Sequence, residues 1–578
     1  MKPFKRDLPR EIKDLRDMVL TSAAFFGEKD LYVYKEDKQE VHFSYNRLRD
    51  EVENFGTALD TLGIRGEHIA LISHTSAKFT VAYLGTVNST GVIVPIDREV
   101  SPEEIVNFIN RAECKAVVYE ESLNGVLTKM ADKMPEVRFF IPMKGEDNVD
   151  STLPANPQVM PWDDVQKLGK QALDAHNNNY YLGTLDQERL CAILFTSGTT
   201  GTAKGVMLCM KNLVAAADAS CKGVPYDSKT KLVSVLPQHH TFEMTCMHLA
   251  VINLGCSVFI NDSLKYVQRN IQNYKPTALV LVPMFLETFY KKIWDNIKKK
   301  GMEKKVRSAM KTSDFLLKLG IDLRKKFFAE ILDAFGGNLQ SAICGGAPIS
   351  PQILRDLYSW GIVVFEGYGI TECAPLVSVN PNGAPKFGSV GKPVNRCRVR
   401  IDKDPTDDYG EIVVKGDNVM LGYYKDEAAT KKAFTHDMKN FENNFWFKTG
   451  DIGYIDNDGY IFITGRKKNV IILSNGKNVF PEELEEHLSH CDLISESIVL
   501  GRKSESGETV ITALIHPNYD KFEGKSDEEI ESTLREAVNE INRSLPSFKH
   551  MTDIEIHKEE FEKTTTKKIK RFVYENKQ

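Results

Sequence analysis

The run Thr196-Ser197-Gly198-Thr199-Thr200-Gly201-Thr202-Ala203-Lys204-Gly205 follows directly on the apolar stretch Ala192-Ile193-Leu194-Phe195. A short apolar stretch bounded by glycine-rich sequence reads as a buried strand. The segment is therefore a strand that opens into a loop of hydroxyls and glycines carrying one lysine. Glycine reaches positive φ without steric penalty, so backbone N–H groups can turn toward one point. A nest of that kind holds anions. Threonine and serine hydroxyls add donors, and Lys204 adds a mobile cation. The loop suits a polyphosphate. It is not a Walker A loop, which needs glycine directly before lysine and Ser or Thr directly after it. Here Ala203 precedes Lys204 and Gly205 follows it. Taken alone, the run also reads as a solvated turn, so the rest of the chain decides.

A chain of 578 residues is long enough for several substantial cores. Its 42% apolar and 27% charged residues are those of an ordinary globular protein. A net charge of −5 and a pI near 6.3 carry no signature of nucleic-acid binding. No apolar run approaches the roughly 18 residues of a spanning helix, and the N-terminus Met1-Lys2-Pro3-Phe4-Lys5-Arg6-Asp7 lacks a secretory apolar core. The ten cysteines show no C-x-x-C spacing, which reads as reduced buried thiols in a cytoplasmic protein.

Apolar strands alternate with helical stretches through much of the chain, at Ile69–Ile72, Gly91–Ile96, Leu232–Leu236, Ala278–Val282 and Ile362–Phe365. That alternation predicts α/β layers with mixed or parallel sheets. Between Lys291 and Lys326 thirteen Lys or Arg face four Asp or Glu. Trp294, Ile297, Met302, Val306, Met310 and Phe315 interleave there at roughly helical spacing, which reads as a helical hairpin packing its stripe on the core. The alternative is a peripheral contact of residues 291–326 with anionic lipid, at the inner membrane face. Beyond Asp404 the texture changes to short strands and turns, and the last hundred residues read as a small α+β unit.

Three further motifs stand at strand ends. Glu366-Gly367-Tyr368-Gly369-Ile370-Thr371-Glu372 follows an apolar strand; Tyr368 offers a flat face for a base, Thr371 a donor for phosphate, and Glu372 an oxygen ligand for magnesium. Gly345-Gly346-Ala347-Pro348 follows Ala342-Ile343-Cys344, and its small residues permit a planar ring to approach the backbone. Thr449-Gly450-Asp451 reads as a turn carrying a carboxylate, the usual partner of ribose hydroxyls.

The order Thr-Ser-Gly-Thr-Thr-Gly-x-x-Lys-Gly, Tyr-Gly-x-Thr-Glu, Thr-Gly-Asp and Gly-Arg-x-x-Asn resembles the adenylate-forming superfamily, over about residues 30 to 572. The resemblance implies a large multi-layered N-terminal AMP-binding domain, 1–466, with a small β-rich subdomain, and a small mobile α+β domain, 467–578. It implies ATP and CoA as co-substrates and Mg2+ as cofactor. Thr196, Ser197, Gly198, Thr199, Thr200, Gly201 and Lys204 would hold the β- and γ-phosphates. Tyr368 and Gly369 would lie on adenine beside Gly346 and Ala347, Thr371 on the α-phosphate, and Glu372 on magnesium. Asp451 and Arg466 would take the ribose hydroxyls, with Lys468 as hinge. Lys563-Thr564-Thr565-Thr566-Lys567-Lys568-Ile569-Lys570-Arg571 is similar to the family's C-terminal element, with Lys567 in place of its glycine. Lys568 then matches the lysine that bridges carboxylate and α-phosphate. Gly476 and Lys477 would lie on the face used for thioester formation.

The run Gln238-His239-His240-Thr241-Phe242-Glu243 resembles long-chain fatty acid–CoA ligases, with His240 beside the acyl carboxylate. Met244 stands where those enzymes often carry arginine. The implied reaction is ATP-dependent activation of a long- or medium-chain fatty acid and transfer to CoA. The alternatives are a ligase for an acyl carrier protein, an aryl or amino acid adenylating enzyme in which Glu243 pairs an amine, and an inactive acyl-binding relative.

Overall fold

The computed structural model describes residues 3–4, 6, 9–144, 157–182, 185–196, 203–435, 445–474, 477–504, 508–563 and 569–575. The chain packs as two compact units, residues 1–399 with 414–447 and residues 400–413 with 448–578.

The larger unit is built on two sheets. In one of nine strands, six run parallel in the order Val363–Gly369, Ser341–Gly345, Ala278–Leu281, Lys231–Ser234, Ser257–Ile260 and Asp30–Glu36. Antiparallel strands close both edges. The second has eight strands, with Leu190–Thr196, Val92–Pro95, His68–Ile72, Ala116–Tyr119, Phe139–Pro142 and Gln158–Val159 parallel. Lys204–Cys209 and then Gly422–Tyr423 extend its edge antiparallel. Several of the parallel strands, Val92–Pro95 and Ala116–Tyr119 among them, are buried at every residue, as expected of strands covered on both faces.

Two helices show why these sheets stack in layers. Ala77–Asn88 and Met210–Gly223 carry no single apolar stripe; small and apolar residues surround each axis, and nearly every side chain is buried. A helix apolar all round needs cover on every side. Met210–Gly223 finds it against strands of both sheets. Ser76 starts the other helix by accepting from the Phe79 N–H at 3.1 Å.

The basic insert forms the helices Pro283–Lys299, Glu303–Lys318 and Arg324–Phe327. Trp294, Ile297 and Met310 are buried, and the Trp294 and Trp360 rings lie 6.0 Å apart. The stripe thus packs on the core, as the hairpin reading expects. Phe315 departs from it and faces solvent.

Besides the two-stranded pair Ile471–Ile472 and Asn478–Val479, two further sheets make up most of the smaller unit. One orders Cys397–Asp402, Gly410–Gly416, Phe447–Ile455 and Ile461–Arg466. The other joins Ile494–Lys503, Thr509–Pro517 and Asp553–Ile556. Helices Pro481–Ser489 and Asp527–Asn542 cover the latter through Leu484, Leu488, Leu534 and Val538. The architecture is the α/β multi-sheet unit with a smaller α+β unit that the sequence predicts.

Candidate active site

The strands on either side of the polyphosphate motif pair antiparallel, Leu190–Thr196 with Lys204–Cys209, and Thr196 stands opposite Lys204. Ser197, Gly198, Thr199, Thr200 and Gly201 lie outside the described residues; Thr196 and Lys204 flank them. Lys204 Nζ stands 4.9 Å from the centroid of the Tyr423 ring, a cation–π contact. The Tyr423 hydroxyl donates to Glu372 Oε1 at 3.0 Å. Burial, and then the neighbouring Glu372 carboxylate, push the Tyr423 phenol well above its ordinary value, so it stays protonated and donates. Lys204 on one sheet and Glu372 on the other thus meet on a single tyrosine.

Sequence reasoning did not find Tyr423. It lies far along the chain from both partners, and no local pattern marks it. It reaches Glu372 because Gly422–Tyr423 adds an edge strand beside Lys204–Cys209 and the Met420 N–H bonds the Glu372 carbonyl at 2.9 Å.

Tyr368 and Gly369 end the strand Val363–Gly369, longer than the apolar run alone indicates. Thr371 and Glu372 follow in a single tight turn, Thr371–Cys373. Gly369 is there by necessity: a Cβ on it would sit 2.3 Å from the Pro375 carbonyl oxygen. Gly345 closes the neighbouring parallel strand opposite Gly367, so Gly346 and Ala347 emerge beside Tyr368 at the same carboxyl edge. Gly346 has φ +88°, and both it and Ala347 are exposed. Crevices at this edge of parallel strands are where α/β folds take ligands.

The segment carrying His240 joins the same place. A Cβ on Gly345 would lie 3.5 Å from Phe242 Cζ, which sets Phe242 against the strand Ser341–Gly345. Gln238 ties the segment to the eight-stranded sheet: Gln238 N–H donates to Thr75 Oγ1 at 3.2 Å, and Gln238 Oε1 accepts from the Ser76 N–H at 3.1 Å. The His239 and His240 rings are 4.1 Å apart. His239 is buried with Nε2 3.5 Å from Asp97 Oδ2. Burial lowers its pKa, Asp97 opposing.

Glu243 opens the π-helix Phe242–Leu249 and is 0% exposed. It accepts from Ser234 Oγ at 2.5 Å and lies 3.6 Å from His248 Nε2. His248 Nδ1 is 2.8 Å from the Tyr32 hydroxyl, which sits 3.0 Å from Thr80 Oγ1, and Gln238 Nε2 donates to Thr80 at 2.6 Å. The carboxylate that the sequence left open to an amine substrate is turned into this internal chain. Beyond the ends of strands His68–Ile72, Val92–Pro95 and Ala116–Tyr119 sits a second cluster. Glu120 accepts from the His74 N–H and lies 2.7 Å from His74 Nδ1, and Arg98 pairs with it at 2.8 Å. Burial would raise the Glu120 pKa, but its His74 and Ser122 hydrogen bonds override that and hold it at about 2.

In the smaller unit Thr449-Gly450-Asp451 is not a turn before a strand but the middle of one, Phe447–Ile455. The bonding at its ends explains the difference: Asp451 stands opposite Arg466 in the antiparallel ladder, and Gly450 at φ +72° donates to Glu411 Oε1 at 3.1 Å. Arg466 Nε meets Asp451 Oδ1 at 2.7 Å. Lys468 follows the strand Ile461–Arg466; partial burial and then Arg466 lower its pKa. Lys477 Nζ lies 4.2 Å from the Phe548 ring centroid. Gly476 and Lys568 lie outside the described residues. Arg571 donates to the Val499 carbonyl at 2.6 Å and to Glu485.

Glu372 is a fit oxygen ligand for a hard cation. It is half-buried, its Oε1 is oriented by Tyr423, and it forms no ion pair among the described residues. No cluster of three metal-ligating side chains occurs among those residues. A magnesium ion on Glu372 would complete its shell from phosphate oxygens and water, as that ion commonly does.

Comparison with known proteins places the chain in a family. The family model described as AMP-binding enzyme matches residues 20–424, and that described as AMP-binding enzyme C-terminal domain matches 468–577. The chain is 28% identical to the long-chain-fatty-acid–CoA ligase FadD15 of Mycobacterium bovis, over 82% of this chain and 77% of that protein. It is 26% identical to the Arabidopsis thaliana long-chain-fatty-acid–[acyl-carrier-protein] ligase AEE15, over 93% and 81%. The crystal structure of the anthranilate CoA ligase AuaEII with anthranoyl-AMP superposes with a TM-score of 0.74 at 18% identity, covering 99% of this chain and 98% of that one. The fold, the ordered motifs and both domain matches make this chain a member of the AMP-binding enzyme family of adenylate-forming acid–thiol ligases.

Proposed function

We propose that the protein activates a long- or medium-chain fatty acid with ATP and passes the acyl group to the thiol of CoA. The observation that carries the nucleotide half is the meeting of Lys204 and Glu372 on Tyr423. A phosphate-loop cation and a carboxylate suited to magnesium there share one anchor, beside the exposed Gly346-Ala347 edge. The fatty-acid half is supported by the likeness to FadD15 and by the inward turn of Glu243, which leaves no exposed carboxylate at that position for an amine.

In the first step a carboxylate oxygen of the acid bonds to the α-phosphorus of ATP, and the bond to the β-phosphate bridging oxygen breaks. Pyrophosphate leaves and an acyl-adenylate remains. Two anions must approach, so stabilising the charge on the five-coordinate phosphorus is the central task. Lys204 and Thr196 serve the β- and γ-phosphates, together with Ser197, Gly198, Thr199, Thr200 and Gly201. Thr371 serves the α-phosphate, Tyr368, Gly369, Gly346 and Ala347 the base, and Asp451 with Arg466 the ribose. Magnesium bound by Glu372 supplies further charge neutralisation. His240 orients the acyl carboxylate, and Lys568 bridges it to the α-phosphate. In the second step the thiol sulfur bonds to the acyl carbon, its proton is lost, and AMP departs. Lys468 is the pivot on which residues 467–578 exchange the Lys568 face for the Gly476–Lys477 face.

A second acceptor is favoured by one observation: AEE15, similar over 93% of the chain, is named as a ligase for an acyl carrier protein. Pyrophosphate release measured over acids from acetate to oleate, with benzoate and amino acids, tests both readings. CoA-dependent release peaking at long alkyl acids supports the CoA ligase. Release with those acids but thioester formed only on a carrier protein selects the second acceptor, and no release with any acid sinks both.

A further inference from the structure

The helix Glu303–Lys318 ends in a way that builds a surface. Its C-cap is Leu319, followed by Gly320 at φ +83°. The Gly320 N–H bonds the Leu317 carbonyl at 3.0 Å and the Ile321 N–H bonds the Leu316 carbonyl at 3.0 Å. This is a Schellman motif, which folds the residue after the glycine back over the last turn. Phe315 and Leu319 are four apart and share a face of that turn. The helix stop therefore gathers Phe315, Leu319 and Ile321 at one corner, and they are 61%, 62% and 48% exposed. Phe327, 40% exposed, stands on the short helix Arg324–Phe327 that packs against the same element. Each could have followed Trp294, Ile297 and Met310 into the core, and none does.

The charge around this corner is one-sided. Lys311, Lys318, Lys325 and Lys326 are exposed, and none forms a salt bridge among the described residues. The two nearby acids are already engaged. Asp322 pairs with Arg324 at 2.7 Å, and Asp314 Oδ2 accepts from Ser359 Oγ at 3.0 Å. Exposed large apolar groups ringed by unpaired lysines match a surface that is apolar below an anionic layer.

We propose that the corner Phe315–Phe327 docks the protein on an anionic lipid bilayer, with Phe315, Leu319 and Ile321 entering the acyl boundary and the four lysines held at the headgroups. Helices Pro283–Lys299 and Glu303–Lys318 present this corner but keep their own stripe on the core, so docking needs no unfolding of the hairpin.

Sedimentation of the full chain with vesicles tests it, scored without turnover and so independent of which acid the enzyme takes. Vesicles of phosphatidylcholine alone are compared with vesicles containing phosphatidylglycerol, at low and high salt. Wild type is expected to sediment with the anionic vesicles and to be partly released by salt. Phe315→Ser with Leu319→Ser is expected to lower partitioning about tenfold or more at both salt concentrations. Lys318→Gln with Lys325→Gln is expected to lower it about fivefold per lysine at low salt only. An unchanged melting temperature certifies the fold of each variant, and the single Phe315→Ser replaces any pair that melts early. Absence of binding to anionic vesicles at low salt overturns the proposal. So does binding by the serine variant equal to wild type. Self-association that the serine variant abolishes, with vesicle binding untouched, would assign the corner to a second copy of the chain instead.

Discussion

Tyr423 shows how much of a site can hang on one residue that no motif contains. Its hydroxyl fixes one oxygen of Glu372, and its ring carries Lys204. Tyr423→Phe keeps the ring and removes the hydrogen bond, worth about 1.5–3 kcal/mol to a charged acceptor. The expected outcome is a roughly tenfold rise in the magnesium concentration that half-saturates pyrophosphate release, with little change in melting temperature. Equal magnesium dependence in the two proteins would remove Tyr423 from the site. Glu120 makes a separate prediction. Its pKa is depressed to about 2 from an ordinary 4.5, so the stability it supplies is present above about pH 4.5 and fades as pH falls toward 2. Glu120→Gln should therefore destabilise the larger unit by about 1.5–3 kcal/mol at neutral pH. The gap between the two denaturant midpoints should shrink steadily between pH 4.5 and 2. A gap independent of pH would mean that shape, and not charge, is what Glu120 contributes.

Elements decide which motif residues face one another. The strand Val363–Gly369 runs on past its apolar part because Gly367 and Gly369 continue the ladder with Leu376–Val379. That extension delivers Tyr368 to the carboxyl edge and leaves Thr371 and Glu372 in the turn beyond it. Gly369→Ala puts a carbon against the Pro375 carbonyl. The turn holding Thr371 and Glu372 must then shift, and adenylation is expected to fall at least about tenfold, since small misplacements of reacting groups are costly. ATP-dependent pyrophosphate exchange measures it, and wild-type exchange would show that the turn has slack. The π-helix is a second example. Its sequence, Phe242-Glu243-Met244-Thr245-Cys246-Met247-His248-Leu249, places an acid and a base in a buried segment, and only the partners Ser234 and Tyr32, from two different strands, make that tolerable. Glu243→Ala strips Ser234 and His248 of a partner and should lower stability by about 3 kcal/mol, read from the denaturant midpoint.

For the whole molecule the prediction concerns order of events. By packing, residues 400–413 and 448–578 form one unit, which includes the Asp451–Arg466 pair. By the proposed motion, the pivot is Lys468. Proline there restricts backbone rotation. Lys468→Pro should leave a first burst of pyrophosphate intact while slowing thioester formation by about tenfold or more, because closure and exchange of faces gate the second step. A quenched-flow comparison of the two products checks it, and parallel loss of both would place the pivot elsewhere.

The sequence by itself determined the local chemistry. Apolar runs specified the strands at Ile69–Ile72, Ala278–Val282 and Ile362–Phe365. Hydroxyl-rich and glycine-rich stretches specified where they open, and the ordered set of motifs specified the family. These are short-range properties, written in propensity and in the φ that glycine alone reaches cheaply. It misread Thr449-Gly450-Asp451 as a turn, because a glycine inside a strand looks like a break until its ladder partner Arg466 is seen. Tertiary structure alone decided contacts between distant segments: Tyr423 on Glu372, Phe242 against Gly345, Glu243 turned toward Ser234 and His248, and Phe315 left outside when Met310 went in. Periodicity says that a helix has an apolar side. Which of those residues find cover depends on where the neighbouring layers end, and that is a property of the packed molecule.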